Sequence, residues 1–161
     1  MPNHCSNEMI VEGDFNRVKH FYHANQGVVV SHKNKKGDEV TDYKELSFDC
    51  AVPVPKRKRM DCSLSGGWYD FCVDNWGTKW DAYDVCVEYD EEENHLFYDY
   101  TTAWSPPVKW MEKASRKFRV KLKCNWHEEG GEAGEIVFDN GKLLLNVDTE
   151  HPYSNQFDEE E

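Results

Sequence analysis

Between Tyr83 and Thr102 the chain alternates with a period of two, and this constrains its fold more than any other feature. Tyr83, Val85, Val87 and Tyr89 alternate with Asp84, Cys86 and Glu88, then an acidic turn, Asp90-Glu91-Glu92-Glu93-Asn94, leads into a second alternating run, His95–Thr102. Successive side chains of a strand point to opposite faces, so the pattern predicts a half-buried β-hairpin with a heavily charged tip. A two-stranded hairpin is marginal in water, so its apolar face must be covered by neighbouring elements.

Those elements lie on both sides in the sequence. Residues 5–13 predict a first strand that ends at Gly13. Asp14 then offers an N-cap, and Phe15, Val18, Phe21 and Tyr22 recur at helical spacing, with Gly27 as the expected terminator. After the hairpin, Ser105-Pro106-Pro107 predicts a helix start, with the serine as cap and proline where no amide hydrogen bond is needed. Val108, Met111, Ala114, Ser115 and Phe118 share one face of that helix, which is expected to run to about Lys117. Arg119–Trp126 alternates again. Ile136–Phe138 and Leu143–Val147 flank Asp139-Asn140-Gly141-Lys142, and Asn-Gly between apolar runs is a strong hairpin signal because both positions tolerate positive φ.

The order strand, helix, strand, strand, helix, strand is the ferredoxin-like βαββαβ pattern. The expected fold is therefore α+β: an antiparallel sheet with both helices on one face, a long insertion and an added C-terminal β-hairpin. Residues 31–67 are polar and read as an irregular insertion with one short strand near Leu46–Val52. Trp68–Gly77 reads as one or two helical turns stopped by glycine. One domain over 1–147 and an acidic tail over 148–161 complete the organisation. A chain of 161 residues buries roughly two-thirds of its unfolded surface and needs no staples.

The net charge of −12 disfavours a protein whose main act is holding phosphates. It suits solubility, a basic protein partner, or imitation of a polyanion. Charge is also segregated. Residues 81–103 carry eight acids and no Lys or Arg, residues 109–123 carry seven Lys or Arg against Glu112, and from Cys124 onward eleven acids face Lys142. The N-terminal Met-Pro-Asn-His-Cys has neither a charged nor an apolar leader region, and no apolar run approaches the ~18 residues of a membrane span. The expectation is a cytoplasmic protein with reduced cysteines acting as small buried hydrophobes.

Three stretches resemble the YubB-like family of plasmid and phage proteins: Met1-Pro2-Asn3-His4-Cys5-Ser6-Asn7, Trp68-Tyr69-Asp70-Phe71-Cys72 through Asn75-Trp76-Gly77-Thr78-Lys79-Trp80-Asp81-Ala82-Tyr83, and Thr102-Ala103-Trp104-Ser105-Pro106-Pro107. His4 departs from the tryptophan usual in that family. The resemblance implies a ferredoxin-like domain in an accessory protein of a mobile element.

For chemistry, Asn75–Asp81 sets two indoles, a glycine, a lysine and an aspartate within seven residues. In a binding role, Trp76 and Trp80 stack a ring while Lys79 holds an anion. In a structural role, the tryptophans pack the insertion onto the sheet and Lys79 pairs with Asp81. Cys124-Asn125-Trp126-His127 has metal-ligand spacing, but lacks a convincing second pair, so no metal or cofactor is expected. Nucleophile-elbow, phosphate-loop and zinc-protease motifs are absent from the sequence, so no enzyme is expected.

The leading expectation is an inhibitor or modulator of a bacterial nucleic-acid-handling or defence protein, with a basic host protein as partner and no membrane. Asp90, Glu91, Glu92 and Glu93, with Glu128, Glu129 and Glu132, would present carboxylates as DNA phosphates do. Direct nucleic-acid binding is the lesser expectation. It takes the form of a small-ligand or single-strand module that stacks rings on Tyr98, Tyr100, Trp76 and Trp80, supported by Lys121, Lys123 and Lys56–Arg59.

Overall fold

The computed structural model describes residues 2–63 and 65–149; most of the expected acidic tail lies outside them. Six strands form one antiparallel sheet in the order β4-β5-β1-β6-β7-β8: β1 His4–Glu12, β4 Tyr83–Asp90, β5 His95–Ala103, β6 Lys121–Glu128, β7 Ala133–Asp139 and β8 Lys142–Asp148. The first four, β4-β5-β1-β6, are the ferredoxin-like sheet. The last two extend it past β6 through a turn in which Asn140 (φ 48°) and Gly141 (φ 81°) both take positive φ. Tight hairpins need this because its twist matches that of the strands.

Two helices, α1 Phe15–Ala24 and α5 Val108–Phe118, cover one face of the sheet. Asp14 caps α1 by accepting from Asn16 N at 2.9 Å and Arg17 N at 3.4 Å. The helix ends at Asn25, whose N–H donates to Phe21 O, and not at Gly27. Gly27 instead opens the next strand, where an added Cβ would lie 2.7 Å from Ser47 Cβ, so close approach explains this glycine. Between sheet and helices Phe21 meets Tyr98, Trp110 and Phe118 edge-on at centroid distances of 6.1, 6.2 and 5.2 Å. Met9, Val11, Leu96, Leu122 and Ile136 complete a core in which each is at most 1% exposed.

The stretch read as irregular has its own order. β2 Gly27–Lys33 and β3 Glu39–Lys44 form a separate hairpin, followed by the short helices α2 Phe48–Ala51 and α3 Lys56–Arg59 and the nine-residue α4 Trp68–Trp76. The strand expected near Leu46–Val52 is therefore a helical turn. Its cause is tertiary: Phe48 plugs into the core against Trp110 (4.7 Å), Trp76 (5.8 Å) and Tyr100 (5.9 Å). A four-residue helix does not hold itself. Its free amide at Phe48 is capped from 33 residues away by Asp81 Oδ1 at 2.7 Å, while Ser47 Oγ donates to Asp81 Oδ2 at 2.7 Å.

The serine expected to cap α5 has another task. Ser105 Oγ donates to Gly77 O at 2.8 Å, and Pro107 occupies the cap position. Ser105 thus ties the start of α5 to the end of α4. Gly77 ends α4 in the left-handed region (φ 80°), its N–H bonded to Cys72 O and Val73 O. Thr78 Oγ1 donates to Ala103 O at 3.0 Å, so a second bond closes the same clasp.

Candidate functional site

Helix α4 presents two adjacent ridges. Trp68, Cys72 and Trp76 fall on one, Tyr69 and Val73 on the next, because residues four apart stack on a helix and successive residues turn by about 100°. The first ridge walls a cavity of about 260 Å³ whose other lining residues are Val54, Arg59, Lys79, Trp80 and Asp81. A neighbouring cavity of about 270 Å³ shares Val54, Arg59, Trp76 and Asp81 and reaches Lys44, Ser47 and Asp49. Three indoles therefore converge on one slot between the insertion and the turn that follows α4.

Trp76, Lys79 and Trp80 all line this slot, with different roles. Trp76 is 4% exposed and donates from Nε1 to Val52 O at 2.9 Å, so it is a fixed floor and not a free stacking plate. Trp80 is 38% exposed, and Lys79 Nζ sits 4.7 Å from its ring centroid. The local Lys79–Asp81 pair expected from the sequence is not formed. Asp81 is committed to Ser47, Phe48 and its neighbour Ala82 N (2.8 Å), with Lys44 Nζ at 3.7 Å.

The other charges of the slot are also spoken for. Arg59 Nη2 reaches Asp49 Oδ1 and Oδ2 at 3.1 and 2.8 Å. Among the described residues, Lys79 is left with the face of Trp80 and no carboxylate. Burial pushes the Cys72 thiol up to about 11, so at neutral pH it is an uncharged wall and a poor nucleophile. Chemically the slot offers flat apolar surface and one ammonium. In the sequence Trp68 stands only within the family-like motif and Arg59 only within the basic run Lys56–Arg59; the fold brings both to Trp76 in the slot.

The acidic residues are not gathered into one ridge. Asp90, Glu91, Glu92 and Glu93 sit exposed at the β4–β5 turn, beside the C-terminal end of β1, where Val11 pairs with Leu96. Glu128, Glu129 and Glu132 lie at the β6–β7 turn beside the N-terminal end of β1, where Cys5 pairs with Glu128. Cys5 and Val11 are six residues apart, about 20 Å along an extended strand. Glu128 is moreover 8% exposed, and Glu129 Oε1 accepts from His4 N at 2.8 Å. At the other end Lys19 Nζ pairs with Glu91 at 2.7 Å. The two acidic groups named from the sequence thus occupy separate turns at opposite ends of β1.

The ring-stacking platform on the sheet is also corrected. Tyr98 and Tyr100 are fully buried beneath the helices, and burial raises both phenols. The open sheet face carries Ser6, Glu8, Ile10, Phe97, Asp99, Lys121 and Lys123, with Phe97 as its partly exposed ring on β5. Along β6, alternation turns Cys124 into the core and His127 to the opposite face, so the Cys-x-x-His spacing does not converge.

The three motif stretches of the sequence meet at one end of the sheet. Trp104 N donates to Asn3 O at 2.9 Å, Asn7 Nδ2 to Thr102 Oγ1 at 3.0 Å, and His4 Nδ1 and Tyr83 Oη are hydrogen-bonded at 2.5 Å. Residues 75–161 match the family model described as "Ferredoxin-like domain in Api92-like protein". The chain belongs to this Api92-like family. A solved structure, the protein Api92 from Yersinia pseudotuberculosis, is similar with a TM-score of 0.70 at 10% identity, covering 94% of this chain and 99% of that one. At that identity the likeness concerns the fold. No curated protein matches the chain.

Proposed function

We propose that this Api92-like chain is a non-catalytic binding module whose tryptophan slot holds a planar ring carrying an anionic group. The observation that carries the reading is the convergence of Trp68, Trp76 and Trp80 on one cavity also lined by Lys79, whose ammonium among the described residues meets the face of Trp80 and no carboxylate. Indole faces bind rings by stacking, and a cation beside them selects an anionic substituent. The YubB-like resemblance of the three converging stretches supports a role as an accessory of a mobile element in a bacterial cytoplasm. None of the described helices is long and apolar enough to cross a membrane.

The test is calorimetric titration of the full chain with a nucleoside monophosphate, the matching nucleoside and inorganic phosphate. The monophosphate is expected to bind at least tenfold tighter than either part. Trp80→Ala and Lys79→Met should each weaken it by about 5- to 150-fold, the range implied by a contact of about 1–3 kcal/mol. Equal affinity for ring and ring-phosphate, or unchanged binding in both variants, would refute the reading.

A second reading rests on the opposite end of the molecule. Phe15, Tyr89, Asp90, Glu91 and Glu92 line an open concavity of about 680 Å³, which joins an exposed ring to the acidic turn. Such a patch suits a basic groove on a host nuclease or defence protein, the aromatic ring serving as anchor. Replacing Asp90, Glu91, Glu92 and Glu93 by lysine should release any host protein co-purified at low salt. Retention of the same partner by that variant would rule this reading out.

A further inference from the structure

The second ridge of α4 forms a second slot. Tyr69 and Val73 line a cavity of about 170 Å³ together with Thr78, Trp104 and Lys79. Lys79 therefore lines both cavities, with indoles Trp68, Trp76 and Trp80 on one side and Trp104 with Tyr69 on the other. Two ring-sized slots thus share Lys79. We infer that the ligand is a single-stranded nucleic acid, two successive bases entering the two slots and the phosphate between them meeting Lys79. This rests on the reading of the first slot given above and extends it.

Trp104 supplies the independent sign that the second slot is a built feature. Its backbone is in the left-handed region at φ 73°, a costly conformation for a bulky residue, and yet its indole is 62% exposed. The strain therefore serves no burial. It is held by its surroundings: Trp104 N donates to Asn3 O, Ser105 N to Ala103 O at 2.9 Å, and Thr102 Oγ1 to Ser105 O at 2.7 Å. Backbone strain imposed on a residue by its neighbours is characteristic of functional positions. Here it holds an indole out beside Lys79. Tyr69 (47% exposed) and Val73 (38%) are likewise apolar groups left in water on the same ridge.

Charge near the slots suits an anionic ligand, and the pairing of two ring-sized slots points to successive bases. The whole chain is at −12, but residues 53–81, which supply most of both slots, hold five Lys or Arg against four Asp, a local balance of +1. Four of the five are consecutive, Lys56 to Arg59 on α3, and Arg59 lines the first slot. The exposed Asp90–Glu93 turn lies at the other end of β1 from Trp104. Base stacking on aromatic side chains with a cation beside the backbone is how single strands are held without sequence preference. Duplexes, whose bases are already stacked, do not fit two such slots.

The experiment is fluorescence titration of the full chain with a thymidine monophosphate, a thymidine dinucleotide, a single-stranded tetranucleotide and a self-complementary duplex. The dinucleotide should bind at least tenfold tighter than the monophosphate, and the duplex more weakly than the single strand. Trp104→Ala and Tyr69→Ala should each erase most of the dinucleotide's advantage. Contact with one phosphate predicts a two- to threefold loss between 50 and 200 mM salt, a dependence that Lys79→Met removes. Circular dichroism checks that each variant is folded.

If the monophosphate binds through Trp80 but the dinucleotide gains nothing, the two-slot inference fails while the first reading survives. If neither binds, both fail. Preference for duplex, or binding of an aromatic-Glu-aromatic peptide where the oligonucleotides do not bind, overturns the inference directly.

Discussion

Asp81 is the joint between the insertion and the sheet, and Asp81→Ala should show it. The carboxylate accepts from Phe48 N and Ser47 Oγ, each at 2.7 Å, and both donors belong to the far side of the insertion. Hydrogen bonds to a charged group contribute about 1.5–3 kcal/mol each, so two give an upper range of about 3–6 kcal/mol. The side chain keeps 24% of its exposure, and removing it recovers the cost of its partial desolvation. We therefore expect a loss of about 2–4 kcal/mol. For a domain of this size that lowers Tm by about 4–16 °C at ~2–4 °C per kcal/mol. Asp81→Asn keeps one acceptor and should lose about half as much, and Ser47→Ala about 1 kcal/mol. Guanidinium unfolding followed by tryptophan fluorescence and far-UV circular dichroism measures the totals. Hydrogen exchange at the Phe48 amide places the damage, because that donor loses its cap. An Asp81→Ala midpoint within ~0.5 kcal/mol of wild type, with Phe48 still protected, would refute the assignment of Asp81 as the joint.

The remaining predictions concern the six cysteines. Cys62 and Cys86 are exposed, whereas Cys5, Cys72 and Cys124 are buried, so a thiol reagent at pH 8 should titrate two groups quickly, Cys50 slowly and the last three only on unfolding. More than three fast equivalents would contradict the packing. Burial pushes Cys5 up to about 12 and Cys72 up to about 11 from an ordinary 9.0, so the folded state prefers the neutral thiol. Their stabilisation is complete below pH 9 and is lost as pH rises from 9 towards 11–12, by at most about 1.4 kcal/mol per pH unit for each thiol. A urea midpoint unchanged between pH 8 and 10.5 would show that these thiols are not buried as described.

How far the sequence discloses the molecule depends on the range of the forces that set each part. The alternation of Tyr83–Thr102 and the helical spacing of Val108–Phe118 are local signals, and the sheet and its helices follow them closely. The insertion is governed by contacts across many residues. Phe48 is helical because the core receives its ring and Asp81 caps its amide, and neither partner is adjacent in sequence. A propensity reading of Leu46–Val52 therefore settles on a strand. The two acidic turns show the same limit: their charge is plain in the sequence, but the crossing of β1 that separates them is set by strand order.

The site is legible only by halves for the same reason. Trp76, Lys79 and Trp80 stand out because they are close in sequence, and the cavity contains all three. Trp104, which lies 24 residues after Trp80, reaches their neighbourhood through the clasp of Ser105 on Gly77 and Thr78 on Ala103. That clasp replaces the serine cap that the Ser-Pro-Pro spelling suggests. A residue that forgoes its local hydrogen bond to make a distant one cannot be assigned from its neighbours, and here it fixes where the exposed indole stands. Among the described residues, the ferredoxin-like frame buries Tyr98 and Tyr100 in its core and leaves Phe97 as the partly exposed ring of β5 on its open face. The proposed ring-binding surface lies instead on α4 and the turn after it, against Val54 and Arg59 of the insertion. The proposed site thus joins α4, whose glycine-stopped helical turns the local pattern predicts, to an insertion whose long-range contacts it does not.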